Sequence, residues 1–157
     1  MANEFNAKDV FDLAVKIEQN GALFYRDAAA LMTDEGHKAF LLELAEMEDQ
    51  HEQTFSAMQK ELSDEETFST AFDPEDENGL YLKALADTRV FSGKQQPGSD
   101  FKDILNCAIQ AEKDSIVFYL GMKELVPPKL GQSKIDDIIK EEMSHIRLLA
   151  ARLNQAE

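Results

Sequence analysis

Apolar residues recur along most of this chain at the three- and four-residue spacing of a helix face, in four long runs. The first run, residues 8 to 32, aligns Val10, Leu13, Ala14, Ile17, Gly21, Phe24, Ala28 and Leu31, with Glu18 on the flank beside Ala14, Gly21 and Tyr25. Thr33-Asp34-Glu35-Gly36 then supplies turn and capping chemistry. A second run, about 35 to 62, points Leu41, Leu44, Glu48, His51, Phe55, Met58 and Leu62 inward. The third, about 100 to 125, has Phe101, Leu105, Ala108, Glu112, Ser115, Tyr119 and Met122 on one face, widened by Ile104, Ala111, Phe118 and Leu125. Val126-Pro127-Pro128 ends it, because proline disfavours helix in the residue before it. The fourth, about 132 to 154, carries Ile135, Ile138, Ile139, Glu142, His145, Leu149 and Leu153. In the second and fourth runs an ionisable pair occupies core positions where leucines are expected, and buried groups of that kind need compensating partners.

The pattern breaks between Leu62 and Asp100. Ser63-Asp64-Glu65-Glu66 and the residues up to Pro74 are polar and acidic, and Asp73-Pro74 followed by Glu75, Asp76 and Glu77 reads as a helix start. Leu80, Tyr81, Ala84, Leu85 and Thr88 predict a short helix at about 75 to 92, and Lys94 to Ser99 a loop. A segment this short buries too little to fold alone, so residues 63 to 99 read as a crossover and the 157 residues as one all-α domain. The expected architecture is a four-helix bundle of two antiparallel hairpins joined by that long crossover.

The chain repeats itself. Glu142-Met143-Ser144-His145 matches Glu48-Asp49-Gln50-His51 at an offset of 94 residues, and Glu18 with Glu112, Phe24 with Phe118 and Tyr25 with Tyr119 share that offset. Residues three apart on a helix point the same way from adjacent turns, so each Glu-x-x-His can serve one centre. Glu18 and Glu48 lie 15 residues either side of Thr33, and Glu112 and Glu142 lie 15 either side of Pro127. In two antiparallel hairpins all four glutamates therefore meet at one height in mid-bundle.

Four carboxylates and two imidazoles converging in an apolar core call either for cations or for protonated, mutually hydrogen-bonded groups, because several buried like charges cannot stay ionised together. A Glu from each of two helices plus a Glu-x-x-His from each of the other two is the ligand set of di-iron and di-manganese carboxylate bundles. Glu48 and Glu142 would bridge two metals, with Glu18 and His51 capping one and Glu112 and His145 the other. Such ligands suit iron or manganese, and zinc fits them without redox chemistry. Tyr25 and Tyr119 each lie seven residues past a ligand glutamate, about 10 Å along the helix. Either they orient a carboxylate from another helix or they pack in the core with the hydroxyl satisfied elsewhere. His37, without a counterpart in the second half, reads as a surface or capping residue, and Met47, Met122 and Met143 as packing groups.

Composition narrows the options. With 31 acidic against 16 basic residues the net charge is −15, which opposes binding to nucleic acid or anionic lipid. No run approaches the ~20 apolar residues of a membrane span. The opening Met-Ala-Asn-Glu-Phe-Asn lacks secretory character, which points to the cytoplasm. A single cysteine, Cys107, excludes an intrachain disulfide and any Cys-x-x-Cys metal site, and is expected to be a small buried apolar residue.

On Glu18, Glu48-x-x-His51, Glu112 and Glu142-x-x-His145, with the Phe-Tyr pairs and the long crossover, the chain resembles the ferritin-like superfamily and within it the rubrerythrin-like proteins. The resemblance implies a bundle that is often a homodimer, two iron ions, and oxidoreductase activity toward hydrogen peroxide or dioxygen. It departs from that family in two places. No rubredoxin-type module with paired Cys-x-x-Cys motifs is present, so electrons are expected from a separate donor such as a rubredoxin-type protein. Ser115 stands where rubrerythrins carry an additional glutamate, and the symmetric ligand set looks more like that of bacterioferritin. Two further readings stay open: a ferroxidase that handles iron, and an interaction protein that uses metal only for stability.

Overall fold

The computed structural model describes residues 7–62, 80–82, 84–85, 98, 100–126, 128 and 131–156. Four long helices account for most of them: α1 (Ala7–Ala30), α2 (Glu35–Lys60), α3 (Phe101–Leu125) and α4 (Gln132–Gln155). Asp34 caps α2 by accepting from the His37 amide at 2.9 Å, and Asp100 caps α3 by accepting from the Lys102 amide at 3.2 Å. α3 stops at Leu125, ahead of the two prolines, with Val126 extended. Gln132 donates to the carbonyls of Lys123 and Val126, tying the start of α4 to the end of α3. Gly131 sits at φ +100°, a left-handed conformation in which a side chain would be strained.

Side-chain pairs give the direction of each hairpin. Gln59 meets Asp12, Glu52 meets Gln19, and Asp49 meets Arg26, so α2 descends as α1 rises. Lys123 pairs with Asp136 at 2.8 Å while His145 faces Glu112, which makes α3 and α4 antiparallel as well. The apolar core falls into two clusters at opposite ends. One gathers Val10, Phe11 and Ala14 with Phe55, Met58, Phe118, Met122 and Ile135; the other gathers Ala28, Ala29, Leu41 and Leu44 with Ile104, Leu105, Ala108 and Leu149. The end of α2 and the beginning of α3 therefore lie at opposite ends, and the connection between them runs the length of the bundle.

Most of that connection, including the expected short helix at 75 to 92, lies outside the described residues; residues 80–82 and 84–85 are helical. Leu82 is fully buried in the first cluster, against α3. A side chain at Gly121 would meet the Leu82 Cδ2 at 2.8 Å and the Tyr81 ring at 3.3 Å, so glycine lets the crossover lie close on α3.

The inward stripe of α1 differs from the one expected. Phe11, Ala14, Glu18, Gly21, Tyr25, Ala29 and Met32 are buried, whereas Leu13 and Phe24 are half-buried and Leu31 is 52% exposed. Val10, Ala14, Ile17, Gly21 and Ala28 are buried as expected, but the face turns toward Glu18 and Tyr25 and away from Leu13, Phe24 and Leu31. Cys107 is also only partly buried, on the edge of α3.

Candidate metal centre

Between the two apolar clusters lies a polar layer. Glu18, Glu48, His51, Glu112, Glu142 and His145, expected to converge, are each no more than 3% exposed and come from all four helices. Two overlapping groups form, Glu18-Glu48-His51-Glu142 and Glu48-Glu112-Glu142-His145, each able to bring one ligand atom per residue within 4.8 Å of the others. Glu48 and Glu142 belong to both. The rings of His51 and His145 lie nearly parallel with centroids 5.7 Å apart.

The inner nitrogens face the carboxylates. Nδ1 of His51 is 3.0 Å from Glu142 Oε1 and 3.5 Å from Glu18 Oε2. Nδ1 of His145 is 3.1 Å from Glu142 Oε2, 3.3 Å from Glu112 Oε1 and 3.5 Å from Glu48 Oε1. The tyrosines resolve toward the carboxylates. Tyr25 of α1 donates to Glu112 Oε1 of α3 at 2.5 Å, and Tyr119 of α3 donates to Glu18 of α1.

Burial and mutual repulsion favour protonation of most of the carboxylates in this layer. Burial pushes Glu18 up to about 7, assisted by the charge of Glu142, and pushes Glu142 up to about 8, assisted by Glu112 and Glu48. Glu48 is driven well above the carboxylate range by burial and by Glu112 and Glu18. Burial acts to raise Glu112 too, but hydrogen bonds from Glu142 and His145 outweigh it and hold this group down at about 2. For His51 burial favours the neutral ring, yet hydrogen bonds to Glu142 and Glu18 lift it to about 11; His145 is raised further, chiefly through Glu112 and Glu142. Both tyrosines are raised well above 10 by burial and neighbouring carboxylates, and so remain hydrogen-bond donors.

Protons and hydrogen bonds leave the layer incomplete. Glu18 Oε2, Glu48 Oε1, Glu112 Oε2 and Glu142 Oε2 are buried without a well-aligned hydrogen bond among the described residues, although an imidazole Nδ1 lies 3.1 to 3.5 Å from each of them except Glu112 Oε2. Buried polar atoms are nearly always paired. Four orphaned carboxylate oxygens, one per glutamate and all in one layer, are the donor atoms a pair of cations would take up, so the residues present fit a two-metal site.

Two contacts were not expected from the sequence. Nε2 of His51 donates to Glu141, whose side chain is 61% exposed, and Nε2 of His145 lies 3.2 Å from the Met47 sulfur. Of the three methionines expected to pack, Met47 therefore touches the cluster, Met143 is exposed and Met122 is fully buried. His37 stands apart, stacked on Phe101 with centroids 3.7 Å apart. A cleft of about 410 Å³ between α2 and α4, lined by Thr54, Asp137 and Ile138 among others, reaches His51 and Glu141 from the surface.

The chain matches no family model and no curated protein sequence. Among solved structures it superposes along the whole length of both chains on a Thermotoga maritima protein described as a candidate ferritin-like diiron-carboxylate protein, with a TM-score of 0.72 and 24% identity. The fold is ferritin-like. The ferritin-like bundle accounts for the long crossover and for a polar layer with access to every helix. No described helix is long and apolar enough to cross a membrane.

Proposed function

We propose that this protein is a non-haem di-iron oxidoreductase of rubrerythrin-like type that reduces hydrogen peroxide or dioxygen with electrons from an external donor. The observation that carries the reading is the set of four orphaned carboxylate oxygens in a layer whose two ligand groups share Glu48 and Glu142. The diiron-carboxylate description of the Thermotoga maritima protein supports it. Glu18 and His51 would hold one metal, Glu112 and His145 the other, and Glu48 and Glu142 would span both. Two iron ions, when bound, supply the two electrons that an oxidant needs, cycling between the ferrous and ferric states.

The chain's own residues set the conditions for that chemistry. Six protein groups shared between two ions leave coordination positions open for a small oxidant. The tyrosines hold Glu112 and Glu18 in place through hydrogen bonds across the hairpin interface. For peroxide the balance is cleavage of one O–O bond with uptake of two electrons and two protons, giving two waters. A separate rubredoxin-type protein is a donor of the right chemistry, and a homodimer is the assembly we expect.

Ferroxidase activity is a second reading, favoured by the cleft that carries Asp137 and Glu141 to His51, a path suited to cations. Metal content and stopped-flow mixing separate the readings. The purified protein should hold about two iron ions per chain, and its diferrous form should be oxidised by peroxide faster than by oxygen. Many more than two irons per chain after Fe(II) and air would favour iron handling. Zinc supporting full stability while the iron form consumes neither oxidant would leave only a structural metal.

A further inference from the structure

Met47 and Glu141 occupy equivalent places in the repeat, each one residue ahead of a glutamate shared by the two ligand groups, and 94 residues apart. Each reaches across to the histidine of the other hairpin. Toward the centre the two histidines are alike, with Nδ1 of each about 3 Å from Glu142. At their outer edges they differ. Nε2 of His51 donates to the carboxylate of Glu141, and Nε2 of His145 meets the thioether of Met47.

The difference has a chemical direction. A carboxylate that accepts the Nε2 proton fixes the tautomer with the Nδ1 lone pair turned inward and makes the imidazole a stronger donor. A thioether is a weak acceptor, carries no charge and does neither. Glu141 also adds a negative charge beside the position at His51, where the cleft from the surface arrives. Both side chains are partly exposed, so neither is part of the packed core.

Resting on the two-metal reading above, we propose that the two cation positions are inequivalent by construction: the one at His51 binds a divalent cation first and more tightly, and Glu141 is its positioning residue. Outer carboxylates of this kind contribute roughly 10- to 100-fold in metal affinity, which is the expected gap between the two positions. The order of filling follows from the chain and not from the identity of the metal.

Calorimetric titration of metal-free protein with Mn(II) tests this without any turnover. The native chain should bind two ions in two resolved steps. Glu141→Gln should weaken the first step by roughly 10- to 100-fold and merge it with the second, while Glu141→Asp restores part of the gap. Met47→Glu should instead tighten the second step by a similar factor. Glu141→Gln and Met47→Glu should thus move different binding steps in opposite directions, which a merely structural role for either residue would not produce. Two ions bound with equal affinity, or a Glu141→Gln change that moves neither step, overturns the inequivalence alone. Fewer than two ions bound by the native chain overturns the two-metal reading and this inference with it.

Discussion

Tyr25 on α1 donates its hydroxyl to Glu112 on α3 at 2.5 Å, both groups fully buried, and so ties the first hairpin to the second at the height of the polar layer. Tyr119 returns the contact from α3 to Glu18. Each tyrosine thus serves the glutamate of the facing helix, seven residues from the glutamate on its own.

Removing the Tyr119 hydroxyl takes from Glu18 Oε1 its tyrosine donor, and removing that of Tyr25 leaves Glu112 Oε1 with only the longer contact to His145 Nδ1 at 3.3 Å. Tyr25→Phe and Tyr119→Phe should each destabilise the metal-free protein by about 1 to 3 kcal/mol, measured by denaturant unfolding. Both should also weaken cation binding, because the carboxylate is no longer held toward its partners. An unchanged unfolding midpoint in both variants would show that the hydroxyls are satisfied elsewhere.

The pH dependence of the metal-free protein should run opposite to that of most acidic proteins. Glu18 and Glu142 rise from 4.5 to about 7 and about 8, burial raises Glu48 well above 4.5, and His51 rises from 6.5 to about 11, so over this range the folded state binds more protons than the unfolded one. Stability must then fall as pH rises through about 5 to 9. Glu112, held down at about 2, works the other way, but only below 4.5: its contribution is lost as pH falls toward 2. Melting temperature should therefore decline from about pH 5 to pH 9 without metal and flatten or climb with saturating Mn(II) or Zn(II), since cation binding expels protons and tightens with pH. A metal-free melting temperature that rises over this interval contradicts the proton-filled cluster.

Much of this arrangement is readable from the chain, and the failures have physical causes. Four glutamates and two histidines are visible because they repeat at one offset and interrupt apolar stripes, which is where buried polar groups need a reason. Their common height follows from their spacing about the turns. Hydropathy extends the face of α1 to Leu13, Phe24 and Leu31 because it weights large apolar residues, whereas burial follows Glu18 and leaves Leu31 outside. Periodicity does not single out Glu141 and reads Met47 as a packing group, because both are exposed on their own helix and act on another. The repeat itself holds the missing signal, since it pairs Glu141 with Met47 beside the two shared glutamates.

Neutralising the shared glutamates should separate binding from stability. Glu48→Gln with Glu142→Gln keeps the shape and removes two ionisable groups, so metal content should fall from about two ions per chain to below one. The same variant should melt higher than the native metal-free protein at pH 8. Its advantage should grow from about pH 5, where the native carboxyls stay protonated in the fold while those of the unfolded chain ionise. Elemental analysis and calorimetry check the two halves. A variant that retains two tightly held ions removes Glu48 and Glu142 from the site.

Ser115 is buried in the polar layer one turn beyond Glu112, the position at which the resemblance to rubrerythrin would place a further glutamate. Its hydroxyl is already committed, donating to the Ala111 carbonyl of the preceding turn at 3.0 Å. The bond turns the hydroxyl back onto the backbone of its own helix, so Ser115→Ala should preserve metal stoichiometry and both binding steps and shift stability by no more than about 1 kcal/mol. Ser115→Glu should behave differently, adding a fifth carboxylate to a layer that already holds more acid than it can ionise. That variant should lower the metal-free melting temperature most at alkaline pH, and saturating Mn(II) should recover part of the loss. Loss of one metal step in Ser115→Ala would instead place the serine among the ligands.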